Sequence, residues 1–364
     1  MVNRTVGTIN SNVRGLAPVD AHRVDEALHR LQWNENPFDF PSDLKEEVLQ
    51  RMASADWARY PTMIRPFDLI DALAHHLSVT PESVVVSAGS SDLIRITMGA
   101  FLQPGDSLVM PSPTFLLYRR NGRMLGANLC EAACDPDRDF ALPVDDLIVL
   151  ARTNQAKLVV LCAPNNPTGT VYALNDLRRL VEECGAPVLI DEAYAEFCGQ
   201  NLLPLQAECD NVILIRTFSK AFSMAGVRVG YAVAAPAVAI ELQKIVSAFP
   251  ISVFSETVAR AALDHHARFM DAVTKIVAER ERLSRLLAAL PGLRVFSSGT
   301  NFLLVRPDAP ARPILDHLLH KQHVLISDAG GYPELDNYLR ISVGSANEND
   351  LVVQGFRECL GCGA

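Results

Sequence analysis

Between residues 84 and 233, short aliphatic and β-branched runs alternate with segments of helical period, and few architectures satisfy that pattern. The runs are residues 84–86, 107–110, 157–162, 187–190, 212–215 and 229–233. Segments 92–102, 114–125 and 175–184 separate many of them with helical spacing. Runs that are apolar throughout, rather than at every second position, suit strands covered on both faces. The expectation is an α/β fold built on a mostly parallel sheet with helices on its two sides. Gln103-Pro104-Gly105-Asp106 is a turn that ends one helix and starts the next strand.

After about residue 235 the pattern changes. Residues 236–247 and 255–290 read as long helices, the second proline-free and stopped by Pro291-Gly292. Strands are expected at 293–296, 301–305, 323–326 and 338–343, with helices at 311–320 and 348–359 among them. This predicts a smaller α+β C-terminal domain. The division is an N-terminal arm over residues 1–32, a large domain over 33–250 and a small domain over 251–364. Residues 33–55 are assigned to the large domain or to packing against the small one, and the arm is placed to close over the site.

The chain has 364 residues, enough for a substantial core, and a net charge of −9 that disfavours nucleic acid as the main partner. No apolar run approaches the roughly 20 residues that span a bilayer, and residues 1–15 lack a hydrophobic signal core, so a cytoplasmic protein is expected. The eight cysteines, scattered and often in apolar runs, read as reduced core thiols. Cys359-Leu360-Gly361-Cys362 has metal-ligand spacing but no second ligand pair nearby, and no metal site is expected there.

Five motifs follow the predicted strand ends, where ligands of α/β sheets bind. Gly89-Ser90-Ser91 opens a helix, whose free N–H groups suit a phosphate, although an N-cap serine is the commoner reading. Phe115, in Pro-Ser-Pro-Thr-Phe, suits a planar ring or a core position. Asn166, in Ala-Pro-Asn-Asn-Pro-Thr-Gly, is a donor or a turn residue. Asp191, in Val-Leu-Ile-Asp-Glu-Ala-Tyr, is an acid beside Tyr194; a carboxylate there keeps a pyridine nitrogen protonated, or caps a helix. The fifth is residues 216–230, Arg-Thr-Phe-Ser-Lys-Ala-Phe-Ser-Met-Ala-Gly-Val-Arg-Val-Gly. It sets Lys220 among Thr217, Ser219 and Arg228: an amine for an aldehyde and a cradle for a phosphate. Together these are the requirements of pyridoxal 5′-phosphate (PLP).

From about Trp33 to the C-terminus the chain resembles the fold-type I PLP-dependent transferases of the aminotransferase class I/II superfamily. The resemblance implies a seven-stranded, mostly parallel sheet and a homodimer. It implies Lys220 as the Schiff-base lysine and proton shuttle, Asp191 as the pyridinium partner, and Asn166 and Tyr194 as ligands of the ring's phenolate oxygen. Phe115 would stack on the ring. Gly89, Ser90, Ser91, Thr217, Ser219 and Arg228 would form the phosphate cup, with Tyr60 reaching it from the partner subunit. Arg340, in Tyr-Leu-Arg-Ile-Ser-Val-Gly, would grip the substrate's acidic group, with Asn36 as a second substrate contact.

Leu31-Gln32-Trp33-Asn34-Glu35-Asn36-Pro37-Phe38, Arg59-Tyr60-Pro61 and the lysine string are most similar to the histidinol-phosphate aminotransferase branch. Two positions depart from it: Val19 stands where that branch has an arm tyrosine, and Ser327 where it has an arginine, both of which help hold a substrate phosphate. Ser91 replaces a common aspartate. Arg14 and Arg65 are candidate substitutes for the missing cation. The implied reaction is ping-pong transfer of an amino group between histidinol phosphate or a related amino acid and a 2-oxo acid. Another PLP reaction such as decarboxylation stays open. A sensor domain without activity also stays open, though the residues before Trp33 are too few for the DNA-binding module such regulators carry.

Overall fold

The structure is a computed structural model that describes residues 4–18, 25, 27–61 and 63–361. Among them twelve strands form two sheets: β1 (His29–Leu31), β2 (Val84–Ser87), β3 (Ser107–Ser112), β4 (Asn128–Ala133), β5 (Leu158–Cys162), β6 (Val188–Asp191), β7 (Val212–Thr217), β8 (Gly230–Val233), β9 (Leu293–Val295), β10 (Phe302–Pro307), β11 (Val324–Asp328) and β12 (Leu339–Ser342). The seven-stranded sheet runs β2-β8-β7-β6-β5-β3-β4. Strands β3 to β7 pair in parallel, and β8 is antiparallel to both β2 and β7. This is the α/β, fold-type I arrangement expected from the sequence.

Every residue of β5 and β6 is buried, which is why these runs carry no polar alternation. Strand β4 escaped the sequence reading for the opposite reason. It is an edge strand with only Ala132 buried, so its hydrophobic signal is faint. The five-stranded sheet runs β1-β11-β12-β10-β9. Its first strand comes from the segment assigned to the N-terminal arm and pairs in parallel with β11, His29 opposite Val324.

The long helix expected over 255–290 is two helices, Val253–Asp264 and His266–Ala288. His265 leaves helical geometry at φ −113°, ψ 28° with no proline present. The redirected chain packs the His266 ring, tilted, against His76, at 4.6 Å between centroids, and against Phe222, at 5.8 Å. Packing, which periodicity does not record, decides this break. Helix His266–Ala288 joins two cores: Phe269, Val273 and Ile276 belong to the cluster around the larger sheet, Leu283 and Leu287 to the cluster of the smaller one. Helix Ser42–Ser54 contributes Leu44, Val48 and Met52 to the larger cluster.

The turn between β7 and β8 is tightly constrained. Gly230 opens β8 against the start of helix Ser90–Phe101, and a Cβ there would lie 2.5 Å from Ser90 N and 2.6 Å from the Gly89 carbonyl carbon. Neither backbone atom can yield cheaply. Gly230→Ala is therefore expected to lower the thermal unfolding midpoint of the cofactor-free protein, at a cost of roughly 1–3 kcal/mol. An unchanged midpoint would show that the helix start is free to move.

Candidate active site

The carboxyl ends of β5, β6 and β7 open into a cavity of about 320 Å³. Ser90, Ser91, Phe115, Asn166, Asp191, Tyr194, Thr217, Ser219, Lys220, Arg228 and Arg340 all line it, brought together from across the chain. Helix Ser90–Phe101 points its N-terminus here, with Gly89 at φ 88° as its cap residue. A Cβ on Gly89 would meet Arg228 Nη2 at 2.6 Å, so the guanidinium lies directly against the helix start. Arg228 is held at φ 62°, sparsely populated for a side-chain-bearing residue, and donates to Ser219 Oγ at 3.2 Å and to the Ala225 carbonyl at 3.0 Å. Thr217 Oγ1 donates to Ser219 Oγ at 3.0 Å and accepts from Ser219 N at 3.1 Å. Hydroxyls, a guanidinium and a helix N-terminus thus converge as an anion site requires.

Asp191 ends β6 fully inside the protein. Tyr118 OH donates to its Oδ2 at 3.0 Å and Ala193 N to its Oδ1 at 3.1 Å. Burial pushes its carboxyl up from 3.8 to about 6, against the downward pull of those two bonds. Because a strand alternates its faces, the next residue, Glu192, turns away from the cavity. There it accepts from Arg216 Nε at 2.8 Å, tying the end of β6 to that of β7. Across the cavity, Asn34 Nδ2 donates to Tyr194 OH at 2.9 Å and Asn166 Nδ2 donates to the same oxygen at 3.3 Å.

Lys220 Nζ donates to the Trp33 carbonyl at 2.8 Å. Burial pushes its amine down from 10.5 to about 8; Arg340 and Arg228 push the same way, while Glu35 and Asp191 oppose them. Arg340 donates from Nη1 to Asn166 Oδ1 at 2.7 Å and from Nη2 to the Gln32 carbonyl at 2.8 Å. Its Nε is buried without a hydrogen-bond partner among the described residues.

Two residues of the expected site do not line this chain's cavity. Asn36 does not line this cavity: its Nδ2 donates to the carbonyls of Lys220 and Ala221, at 3.1 and 3.3 Å, and so it fixes the lysine loop. Tyr60 is 78% exposed, stacks on Phe249 at 4.5 Å and does not line its own chain's cavity. Ser327 sits opposite Arg340 in the β11–β12 register. Arg65 donates to Gln243, Arg14 ends a short helix at Ser11–Arg14, and Val19 and Cys362 lie outside the described residues. Sequence reasoning missed Tyr118, Asn34 and Glu35. Tyr118 lies four residues past Thr114 on helix Leu116–Leu125, and only the fold turns its hydroxyl to Asp191.

The aminotransferase class I and II family profile matches residues 28–356. The chain belongs to the class I and II aminotransferases. It is 37% identical to histidinol-phosphate aminotransferase of Chlorobium limicola, over 96% of this chain and 97% of that one. It is also 37% identical to the Chlorobaculum tepidum enzyme of the same name, over 93% and 97% of the two chains. The structure of histidinol-phosphate aminotransferase from Sinorhizobium meliloti in complex with PLP superposes with a TM-score of 0.86 at 25% identity, covering 97% of this chain and 98% of that one. This aminotransferase uses PLP, and its cavity fits that cofactor. A buried carboxylate without a cation, an anion cradle that leaves no room for a Cβ at Gly89, and a lysine of lowered pKa occupy one space. Among the described residues no helix is long and apolar enough to cross a membrane.

The lysine's environment makes a measurable claim. In cofactor-free protein the neutral amine, which alone reacts with acylating reagents, is expected to appear with a midpoint at about pH 8. Pulse acetylation followed by mass spectrometry of the Lys220 peptide reads this directly. A midpoint above 10, as for a solvated lysine, would contradict the burial argument.

Proposed function

We propose that this aminotransferase moves an amino group from histidinol phosphate, or a closely related amino compound, to a 2-oxo acid, as a cytoplasmic homodimer. The observation that carries the reading is the meeting of Lys220, Asp191 and Arg340 in the lining of one cavity. Asp191 would hold the cofactor's ring nitrogen, Asn166 and Tyr194 its ring oxygen, and Phe115 one ring face. Ser90, Ser91, Thr217, Ser219 and Arg228 would hold its phosphate with the backbone at Gly89, and Tyr60 would join them from the partner subunit. The exposed Trp57, Met63, Ile64 and Phe67 around Tyr60 support an interface on that side.

When bound, PLP supplies a carbonyl that links to amines and a ring that draws electrons from the substrate's α-carbon. The protein does the rest. Lys220 Nζ, neutral above about pH 8, takes the α-carbon proton and returns it one position away. Arg340 meets the substrate's acidic group, and Asn36 keeps the lysine loop in place through two carbonyls. Asp191 keeps its negative charge once it faces a cation, and so preserves the electron sink. In the same reading residues 33–250 carry the cofactor and 251–364 the substrate arginine, with helix His266–Ala288 linking the two.

One observation favours a second donor class. Ser327, directly opposite Arg340, leaves that arginine without a neighbouring cation on β11. A dianionic phosphate normally takes more than one charge-assisted partner, whereas one arginine suffices for a carboxylate. An amino acid with a free carboxylate is therefore the alternative donor.

Single-turnover chemistry separates these readings. PLP-loaded protein mixed with histidinol phosphate and no 2-oxo acid is expected to form one equivalent of carbonyl product per subunit, then stop until a 2-oxo acid is added. Lys220→Ala should lose this burst and the absorbance band of the lysine-linked cofactor together. A burst with an α-amino acid but none with histidinol phosphate assigns the alternative donor. Release of carbon dioxide with continuous turnover contradicts amino transfer.

A further inference from the structure

Glu35 has no assigned part in this reaction, yet its surroundings are unusual for a carboxylate. Two acidic residues line the cavity, Asp191 and Glu35. Asp191 is committed to Tyr118 OH and Ala193 N. The half-buried Glu35 carboxylate has no hydrogen-bond or ion-pair partner among the described residues. Its backbone, in contrast, is fixed from both sides. Asn301 Nδ2 donates to the Asn34 and Glu35 carbonyls at 2.9 and 3.3 Å, Asn34 N donates to Ser342 Oγ at 2.8 Å, and Asn36 is bonded to the lysine loop. Asn34 is held at φ 53°. A segment anchored this heavily presents one free charged group.

The place of that group is specific. Lys220 Nζ donates to the carbonyl of Trp33, two residues before Glu35. Glu35 also lines a second, wider cleft of about 430 Å³, which shares Ser219 and Ala225 with the cavity and is edged by Arg30, Asp39 and Glu348. It therefore stands where the two spaces meet, beside the amine that the substrate's own amine must approach. The cavity otherwise presents cations: Lys220, Arg228 and Arg340. An amino donor arrives as an ammonium ion, and none of these three offers it a hydrogen-bond acceptor, while Asp191 is held by its own bonds.

We propose that Glu35 is the residue that receives the amino donor's ammonium, accepting its hydrogen bonds while Arg340 holds the acidic end. Its influence on Lys220, opposing burial and the two arginines, agrees with this proximity. Two charged ends held at once fix the α-carbon near Lys220 Nζ, so Glu35 determines selection for an amine as well as its orientation. A 2-oxo acid carries no ammonium and draws nothing from Glu35.

This rests on the amino-transfer reading above, and its test separates the two. Ping-pong kinetics give kcat/KM for each substrate independently. In Glu35→Gln, kcat/KM for the amino donor should fall roughly tenfold to a hundredfold, the scale of a lost hydrogen bond to a charged group. The value for the 2-oxo acid should change less than about threefold, and Glu35→Asp should recover part of the donor's value. Glu35→Ala should show the same asymmetry. A wild-type protein that transfers no amino group overturns the functional reading. A wild type that does, with variants that lose both values equally or neither, overturns the role of Glu35. PLP content equal to wild type checks that the variants are folded.

Discussion

A carboxylate sealed at the end of a buried strand is the constraint around which this molecule is arranged. Asp191 reaches its position because β6 is apolar to its last residue and lies between β5 and β7. Two hydrogen bonds offset part of the desolvation, but the carboxyl still sits near 6 instead of 3.8. The sign follows directly. The unfolded chain ionises this group at lower pH than the folded one, so without a cation the charge weakens the fold as pH rises from about 4 through 6. The cost above that range is on the order of 3 kcal/mol. In the reading proposed above, a cationic ring nitrogen beside Asp191 would remove this penalty, and the protein would gain stability from the same contact that tunes the cofactor.

The remaining parts hold that contact in register. Strand alternation sends Asp191 and Thr217 into the cavity and their chain neighbours, Glu192 and Arg216, to the other side, where the pair is bonded at 2.8 Å. Glu192 is almost wholly buried, so the pair is sheltered from water and loss of either partner would strand a charge. Phe218 and Phe222 pack beneath the lysine loop on Tyr231, His266 and Phe269. The strain at Arg228 and the closeness of Gly230 to Ser90 are backbone consequences of bringing β8 against the start of helix Ser90–Phe101. Cofactor chemistry and core packing therefore share the same few strand ends.

Much of this was legible in the sequence because it rests on local signals. Fully apolar runs announced the buried strands, and the polar residues just beyond them announced the cavity: Asn166, Asp191 and Lys220 each follow such a run. What was not legible depends on tertiary geometry. Strand β4 buries one residue, β1 is three residues long, and the break at His265 goes with the packing of His266 against His76 and Phe222. Tyr118 and Asn34 look like any helix tyrosine or loop asparagine until the fold aims them at Asp191 and Tyr194. Asn36 bonds to the backbone of the lysine loop, a contact that residue spacing does not announce. Tyr60 does not line its own chain's cavity and stacks on Phe249 instead.

The central claim is that the buried Asp191 charge awaits a cation and that PLP provides it. The direct measurement is PLP affinity and thermal midpoint for wild type and Asp191→Asn, each with and without cofactor, at pH 8. Removing one partner of a buried charge pair should weaken PLP binding by about a hundredfold or more. The cofactor-free variant should be as stable as wild type or more so, since it loses an uncompensated charge. Unchanged affinity, or a cofactor-free variant clearly less stable than wild type, would contradict the account.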